Sequence, residues 1–493
     1  MTRRAVGNGA SDTGGEGGSP EAGRDLDPPD WSEFRRLAHA ALDDVIDHVQ
    51  TVRERPVWQP APDATRQRFS RPLPLEPRGL GDILEDVRTH VAPFATGNLH
   101  PRFMGWAHGA GTPAGMVADM IAAGLNMNCG GRDHIGIEVE RQIARWMSEA
   151  FRYPENASGL FLTGSSMANF LAVIVAKTNA IGGESREAGL RRGDCQLVAY
   201  TSAEAHSCIA QAMQLSGIGS EHLRLIGTDH AGRMLPDALK AAIGEDRAGG
   251  FLPFLVVGTA GTVNTGAIDP LADVSAIARQ EGLWFHVDGA IGALSVFSPA
   301  LKPLTAGIEL SNSIALDFHK WGHVPYDAGF LLVRDGAAHK RAFAATAAYL
   351  QRAERGLAAG ETWPCDLGPD LSRGFRAFKT WMTFETLGTR RIGDAILHTC
   401  ELAAYLAERV RESAILELKA PVALNIVCFS VKGAGSAVNR ELVLDLQESG
   451  IAAPSWTTIN GETAIRCAIF NHRTTRSDID LFVDAISKLA GRG

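Results

Sequence analysis

From about residue 110 onward the chain alternates helical stretches with short β-branched or apolar runs, and this alternation constrains its fold more than any other feature. The runs are "GLFLTGS", "CQLVAYTS", "PFLVVGTAGT", "LWFHVDGA", "SIALDFHK" and "AGFLLVRD". Strands separated by helices imply βαβ units and a mostly parallel sheet, which binds ligands at the C-terminal ends of its strands. Each run closes in small or polar residues, where that rule wants them. After about residue 390 a smaller α/β segment follows, with strands near "LNIVCFS" and "TAIRCAIF" and a final helix over Ser477 to Leu489. Ahead of residue 110, apolar side chains at 34, 37, 41, 45, 49 and 52 give the spacing of an amphipathic helix from Trp31 to about Glu54. A Pro-rich connector ("RPVWQPAPD", "RPLPLEPRG") leads to a second helical stretch near 80–92. The expected division is a flexible tail (1–30), an N-terminal helical segment (31–109), a large domain (110–390) and a small C-terminal domain (391–493).

Bulk properties exclude several function classes. Formal net charge is −8 and the pI is 6.0, so no basic field invites nucleic acid. No run of about 18 apolar residues exists, so no membrane span is expected. The Gly-, Ser-, Asp- and Glu-rich start lacks the apolar core of a secretory signal and reads as a flexible tail. The 7 cysteines are scattered without CxxC pairs or Cys/His metal spacing, which fits reduced thiols in a cytoplasm and no metal site.

The chemistry gathers at the strand exits. Lys320 stands between His319 and Trp321 in a short break between two apolar strands. A solvated lysine needs no such setting, whereas one that bonds covalently must be neutral, and partial desolvation near other cations lowers its pKa. At Gly164-Ser165-Ser166 a strand runs into a helix, where free N–H groups, the helix dipole and serine hydroxyls make an anion cradle. Taken alone, that turn is equally an ordinary strand-to-helix turn with a serine cap. Asp288 ends an apolar run as a turn residue or as a buried carboxylate paired with a cation. His206 lies at a further exit. An anion cradle, a ring that can stack, a carboxylate for a heterocyclic nitrogen and a reactive lysine are together the needs of pyridoxal 5′-phosphate (PLP).

In these motifs the chain resembles the group II PLP-dependent amino-acid decarboxylases, which act on DOPA, histidine, tyrosine or glutamate. The resemblance runs from about Phe34 to near residue 485. It rests on "HPRFMGW" (100–106), "LTGSSMAN" (162–169), "AHS" (205–207), "GTVNTGAIDP" (261–270), "HVDGA" (286–290) and "DFHKW" (317–321). It implies the α/β, fold-type I (aspartate-aminotransferase-like) architecture, with a mostly parallel seven-stranded sheet and a small C-terminal α/β domain. It further implies Lys320 as the Schiff-base lysine, Asp288 as partner of the pyridinium and His206 stacked on the ring. Gly164, Ser165, Ser166 and His319, helped by Asp317, would hold the phosphate, and Thr262 and Ala290 would line the ring. Arg466 matches an arginine that in some members reaches the substrate carboxylate. Tyr349 falls where the family carries a mobile-loop tyrosine that enters the neighbouring subunit's site and protonates the carbanion left by CO₂. A homodimer with the N-terminal helix as exchanged arm is therefore expected.

Departures bear on the substrate and on one charge. Asp317 replaces a common Asn, and would orient Lys320 or sit protonated. Asn128 and Gly130 stand where aromatic decarboxylases are apolar, and His108 replaces a more usual Pro, while Trp106 keeps an aromatic wall. An aromatic L-amino acid is the first expectation, from Trp106. A polar or aliphatic one is the second, from Asn128 and His108. Rival outcomes on the same frame are aldehyde formation by oxidative decarboxylation, C–C cleavage, or a PLP-binding protein without catalysis.

Overall fold

In the computed structural model, residues 25–190, 196–344, 352–360 and 362–491 are described. The six runs become strands β1 (Ser158–Leu162), β2 (Gln196–Ser202), β4 (Phe251–Thr259), β5 (Trp284–Asp288), β6 (Ser313–Asp317) and β7 (Gly329–Val333). A further strand, β3 (Leu223–Ile226), has no counterpart among them. It is an edge strand of four residues, interrupted by Arg224, and is too short to stand out. The seven form one sheet in the order β1-β7-β6-β5-β4-β2-β3, and β7 alone runs against its neighbours. Strands β5, β6 and β7 are buried at every position, as expected of a sheet covered on both faces. Alternation sends Val256, Val287 and Ile314 into one apolar layer and Leu255, Val257 and Ala315 into the other.

A second, four-stranded antiparallel sheet lies in the C-terminal part, ordered β10 (Ser455–Ile459), β11 (Glu462–Ala468), β9 (Ile426–Val431) and β8 (Leu416–Leu418). Asn460 and Gly461, at φ 49° and 82°, turn the β10–β11 hairpin, the pairing that a two-residue turn with φ > 0 requires. This sheet shares an apolar core with helices 376–412 and 476–490, and Met104 from the N-terminal segment enters it fully buried. The helix Arg376–Glu412 crosses the boundary expected at residue 390 and kinks at Gly388, whose φ of 70° is non-helical. Helix Trp31–Gln50 starts on its cap, the Asp30 side chain, and buries none of its residues. Among the described residues no helix is long and apolar enough to cross a membrane.

One buried ion pair ties the sheet to what surrounds it. The Arg373 guanidinium donates to both Glu140 carboxylate oxygens (2.6 and 3.0 Å), to Cys129 O (2.8 Å) and to Phe161 O (2.8 Å). Glu140 also accepts from Phe161 N at 3.0 Å, so helix Ile135–Ala150, β1 and the turn before that helix meet on one charge pair. Arg373→Met leaves a buried carboxylate unpaired and should cost about 3–5 kcal/mol in denaturant unfolding. A loss under about 1 kcal/mol, the worth of an exposed pair, would show that the pair holds nothing together.

Candidate active site

Five strand exits converge on one cavity of about 480 Å³. From the sheet come Thr163–Ser166 after β1, His206 and Cys208 after β2, Thr259 and Gly261 at β4, Asp288 and Ala290 at β5, and Asp317, His319 and Lys320 at β6. The predicted residues Gly164, Ser165, Ser166, His206, Asp288, Ala290, Asp317, His319, Lys320, Trp106, His108 and Arg466 all line it.

The segment after β6 alternates between cavity and core. Phe318 is fully buried against Phe161, Phe330 and Phe384, with ring centroids 5.5–5.6 Å away. Trp321 is fully buried too, donating from Nε1 to Thr399 Oγ1 (3.2 Å) and packing on Phe470. These anchors leave Asp317, His319 and Lys320 on the cavity side. Lys320 Nζ is 2.8 Å from Asp317 Oδ2. The same carboxylate accepts from Ser165 N and Ser165 Oγ, both at 2.7 Å, and so caps the helix Ser165–Ile181, whose Gly164 supplies no side-chain cap. His319 Nδ1 accepts from Ala328 N (3.1 Å), which leaves its proton on Nε2, 3.7 Å from Asp317 Oδ1.

Electrostatics here correct one expectation. Burial alone would depress the Lys320 pKa, but the charge and hydrogen bond of Asp317 and the charge of Asp288 outweigh it, and the pKa is raised. Among the described residues the charges that act most on the amine are carboxylates, which raise its pKa. Burial pushes Asp317 up, yet Lys320, His319 and Ser165 overcome that and hold it below the usual carboxylate range. Asp288 is raised, because burial dominates over the attraction of Lys320 and the hydrogen bond from Ala290 N. His319 is lowered by burial against the opposing pull of Asp317.

The outer wall comes from other parts of the chain. Arg466, on β11 and only 4% exposed, donates to Val263 O (2.9 Å), Asn264 O (3.2 Å), Trp106 O (3.0 Å) and Ser455 Oγ (3.3 Å). Its Nη2 has no hydrogen-bond partner among the described residues. His108 packs in a three-ring cluster with Phe103 and Trp106, at 5.6 and 6.0 Å, and burial and then Lys320 lower its pKa, which makes it a neutral aromatic surface. Tyr326, Trp456, Thr457 and Asn264 also line the cavity and stand in none of the sequence motifs as site residues. Trp456 lies on β10, a strand without a counterpart among the expected runs; the Asn460-Gly461 turn was the signal for it. Tyr326 follows Lys320 by six residues and packs on His319, with centroids 4.4 Å apart.

Two expected residues, Thr262 and Asn128, are not brought to the cavity. Thr262 is fully buried, and its Oγ1 accepts from Ala267 N (3.1 Å) and meets Thr265 Oγ1, so it shapes the loop while Gly261 and Val263 form the wall. Asn128 Oδ1 accepts from Gly130 N and Arg373 N, both at 3.0 Å, which places it in the turn tied to Arg373 instead. Tyr349 lies outside the described residues.

Residues 62–432 match a family model described as "Pyridoxal-dependent decarboxylase conserved domain". The chain is 29% identical to an aromatic-L-amino-acid decarboxylase of Bacillus atrophaeus, over 93% of this chain and 95% of that enzyme. It is 28% identical to a phenylacetaldehyde synthase of Arabidopsis thaliana, over 91% and 94%. In structure it is similar to the glutamate decarboxylase domain of diaminobutyrate-pyruvate transaminase and L-2,4-diaminobutyrate decarboxylase from Vibrio parahaemolyticus. That likeness has a TM-score of 0.83 at 25% identity and covers 94% of this chain and 96% of the other.

The cradle depends on two glycines in close approach. A Cβ on Gly329, at the start of β7, would come within 2.5 Å of the Gly164 backbone just before Ser165. Gly329→Ala should therefore lower stability by about 1–3 kcal/mol. Gly244→Ala, in the exposed helix Pro236–Ala248 where a Cβ meets nothing within 4 Å, should raise it by about 0.5–1 kcal/mol. Thermal melts of the two variants check this; equal melting points would remove the close-approach constraint.

Proposed function

Since the chain belongs to the pyridoxal-dependent decarboxylase family, we propose that it removes the α-carboxylate of an aromatic L-amino acid as CO₂ and leaves the amine. The observation that carries this reading is one cavity holding the Lys320 amine, the buried Asp288 carboxylate and the helix N-terminus at Ser165-Ser166. The donor set suits PLP. Ser166, Gly164 and the Nε2–H of His319 would hold the phosphate, Asp288 would pair with the ring nitrogen, and His206 would be the ring to lie against the heterocycle. The unpartnered Nη2 of Arg466, at the outer wall, is left for the carboxylate of a substrate.

Bound there, the cofactor supplies an electron sink for the pair released when the bond from Cα to the carboxylate breaks. Asp288, kept dry by its strand, would hold the proton of the ring nitrogen. Lys320 would supply the amine that bonds the cofactor and later frees the product, and Asp317 Oδ2, at 2.8 Å, orients it. Trp106, His108 and Trp456 give an aromatic wall for the substrate side chain. Of the two supports for a polar substrate, Asn128 lies away from the cavity and His108 is a stacked, neutral ring, so the aromatic reading is preferred. Tyr349 donates the proton to Cα, entering from a second subunit. The active unit is a homodimer, to which helix Trp31–Gln50 brings an apolar face with no residue buried in its own chain. The six described cysteines are free thiols, in keeping with a reducing cytoplasm.

The purified enzyme should be yellow and should release CO₂ from one or more of tryptophan, tyrosine, phenylalanine and DOPA in a screen of amino acids. Borohydride should fix PLP to Lys320, and Lys320→Ala should abolish turnover. An adduct on another lysine, found by mass spectrometry, would displace Lys320. A screen in which only polar or aliphatic amino acids lose CO₂ would overturn the aromatic reading.

The second reading, aldehyde formation, is favoured by the likeness to a phenylacetaldehyde synthase. That outcome consumes O₂ and water and yields aldehyde, ammonia and hydrogen peroxide with the CO₂. Tyr349→Phe should lower amine formation by about a hundred- to ten-thousand-fold and shift product to aldehyde and peroxide. Unchanged amine yield would pass the donor role to Tyr326, a phenol that lines the cavity; burial and then Asp317 push its pKa up, keeping it protonated.

A further inference from the structure

The phosphate cradle already holds an anion of the protein's own. The Asp317 carboxylate takes the two donors of Ser165, at 2.7 Å each, and pairs with Lys320 at 2.8 Å while only 2% exposed. It thus stands at the helix N-terminus, where the dipole and the N–H groups favour negative charge. We infer that Asp317 is a resident counter-anion that competes with the cofactor's phosphate, so that this chain binds PLP more weakly than its cradle alone would allow. The inference rests on PLP being the cofactor.

The argument is one of charge in a small, buried volume. Lys320 and Asp317 together are neutral, so an entering phosphate dianion gains the helix N-terminus but no net cation from this pair. The other groups facing Asp317 do not change that balance. His319 beside it is held neutral by burial, Tyr326 stays a protonated phenol, Ser165 is uncharged, and Asp288 from β5 adds only negative charge. Like charges within about 4–6 Å shift one another's equilibria by about one to three pKa units, which is about 10- to 1,000-fold in a linked binding constant. An amide at this position would keep an acceptor for Ser165 N and remove the repulsion.

Pyridoxamine 5′-phosphate is the probe, because its amine cannot condense with Lys320 and its binding reports the cradle alone. Its quenching of intrinsic fluorescence, with Trp106 and Trp456 on the cavity wall, gives affinity without turnover. Four cofactor-stripped full-length proteins are compared at pH 8: wild type, Asp317→Asn, Lys320→Met and the double variant. Their cradle charges from this pair are zero, plus one, minus one and zero. Asp317→Asn should bind about tenfold or more tightly than wild type, Lys320→Met about tenfold or more weakly, and the double variant close to wild type. Pyridoxamine, which lacks the phosphate, should not follow this order. Lys320→Met that binds as tightly as wild type overturns the inference even if Asp317→Asn fails to fold, and so does Asp317→Asn that binds no better than wild type. Binding indifferent to Asp317 removes only this inference. No binding by any of the four removes the cofactor assignment, and the inference with it.

Discussion

An amine can be held inside a protein only where the chain on either side of it is fixed, and Phe318 and Trp321 do the fixing for Lys320. Both are fully buried, one among three phenylalanines and the other against Thr399 and Phe470. Backbone geometry then leaves residues 317, 319 and 320 a common side, and the carboxylate three residues before the lysine meets it. Burial of an unpaired ammonium would be prohibitive. Here Asp317 and Asp288 compensate it, so the reactive amine rests as half of an ion pair. The rings that flank the lysine in sequence are therefore not its partners; Trp321 is a pillar of the core, and His319 is held by the backbone at Ala328.

Much of this was legible in sequence, because fully buried parallel strands are short apolar runs and their exits carry the chemistry. Six of the seven strands of the large sheet follow from such runs, and the final helix extends one residue beyond its expected limits at either end. What escaped is what periodicity does not mark: β3 with four residues, β8 with three, and β10 with its alternating exposure. For β10 the Asn460-Gly461 dipeptide was a sufficient sign, and it would have brought Trp456 into view.

The site was legible where residues sit directly at strand exits and less so where loops fold back. Thr262 falls in the right motif but spends its hydroxyl on the backbone of its own loop. Asn128 is claimed by Arg373, a contact between residues far apart in sequence. The direction of the Lys320 shift depended on Asp317, for which the sequence left open a place at the phosphate, a role in orienting Lys320 or a protonated state; the distances pair it with the lysine and Ser165. Distances across a turn, unlike residue types within it, are not written in the sequence.

The small sheet's core takes Met104 from the N-terminal segment, and the helical span Arg376–Glu412, kinked at Gly388, packs on both sheets' cores. Arg466 then sutures three regions at the cavity rim: the loop after β4, the backbone of Trp106 and the β10 strand. The two lobes are thus interlocked rather than strung together. A chain begun after residue 110 would leave a hole where Met104 belongs. Neither lobe is a module that could be transplanted, trimmed to a minimal catalyst or inherited without the other.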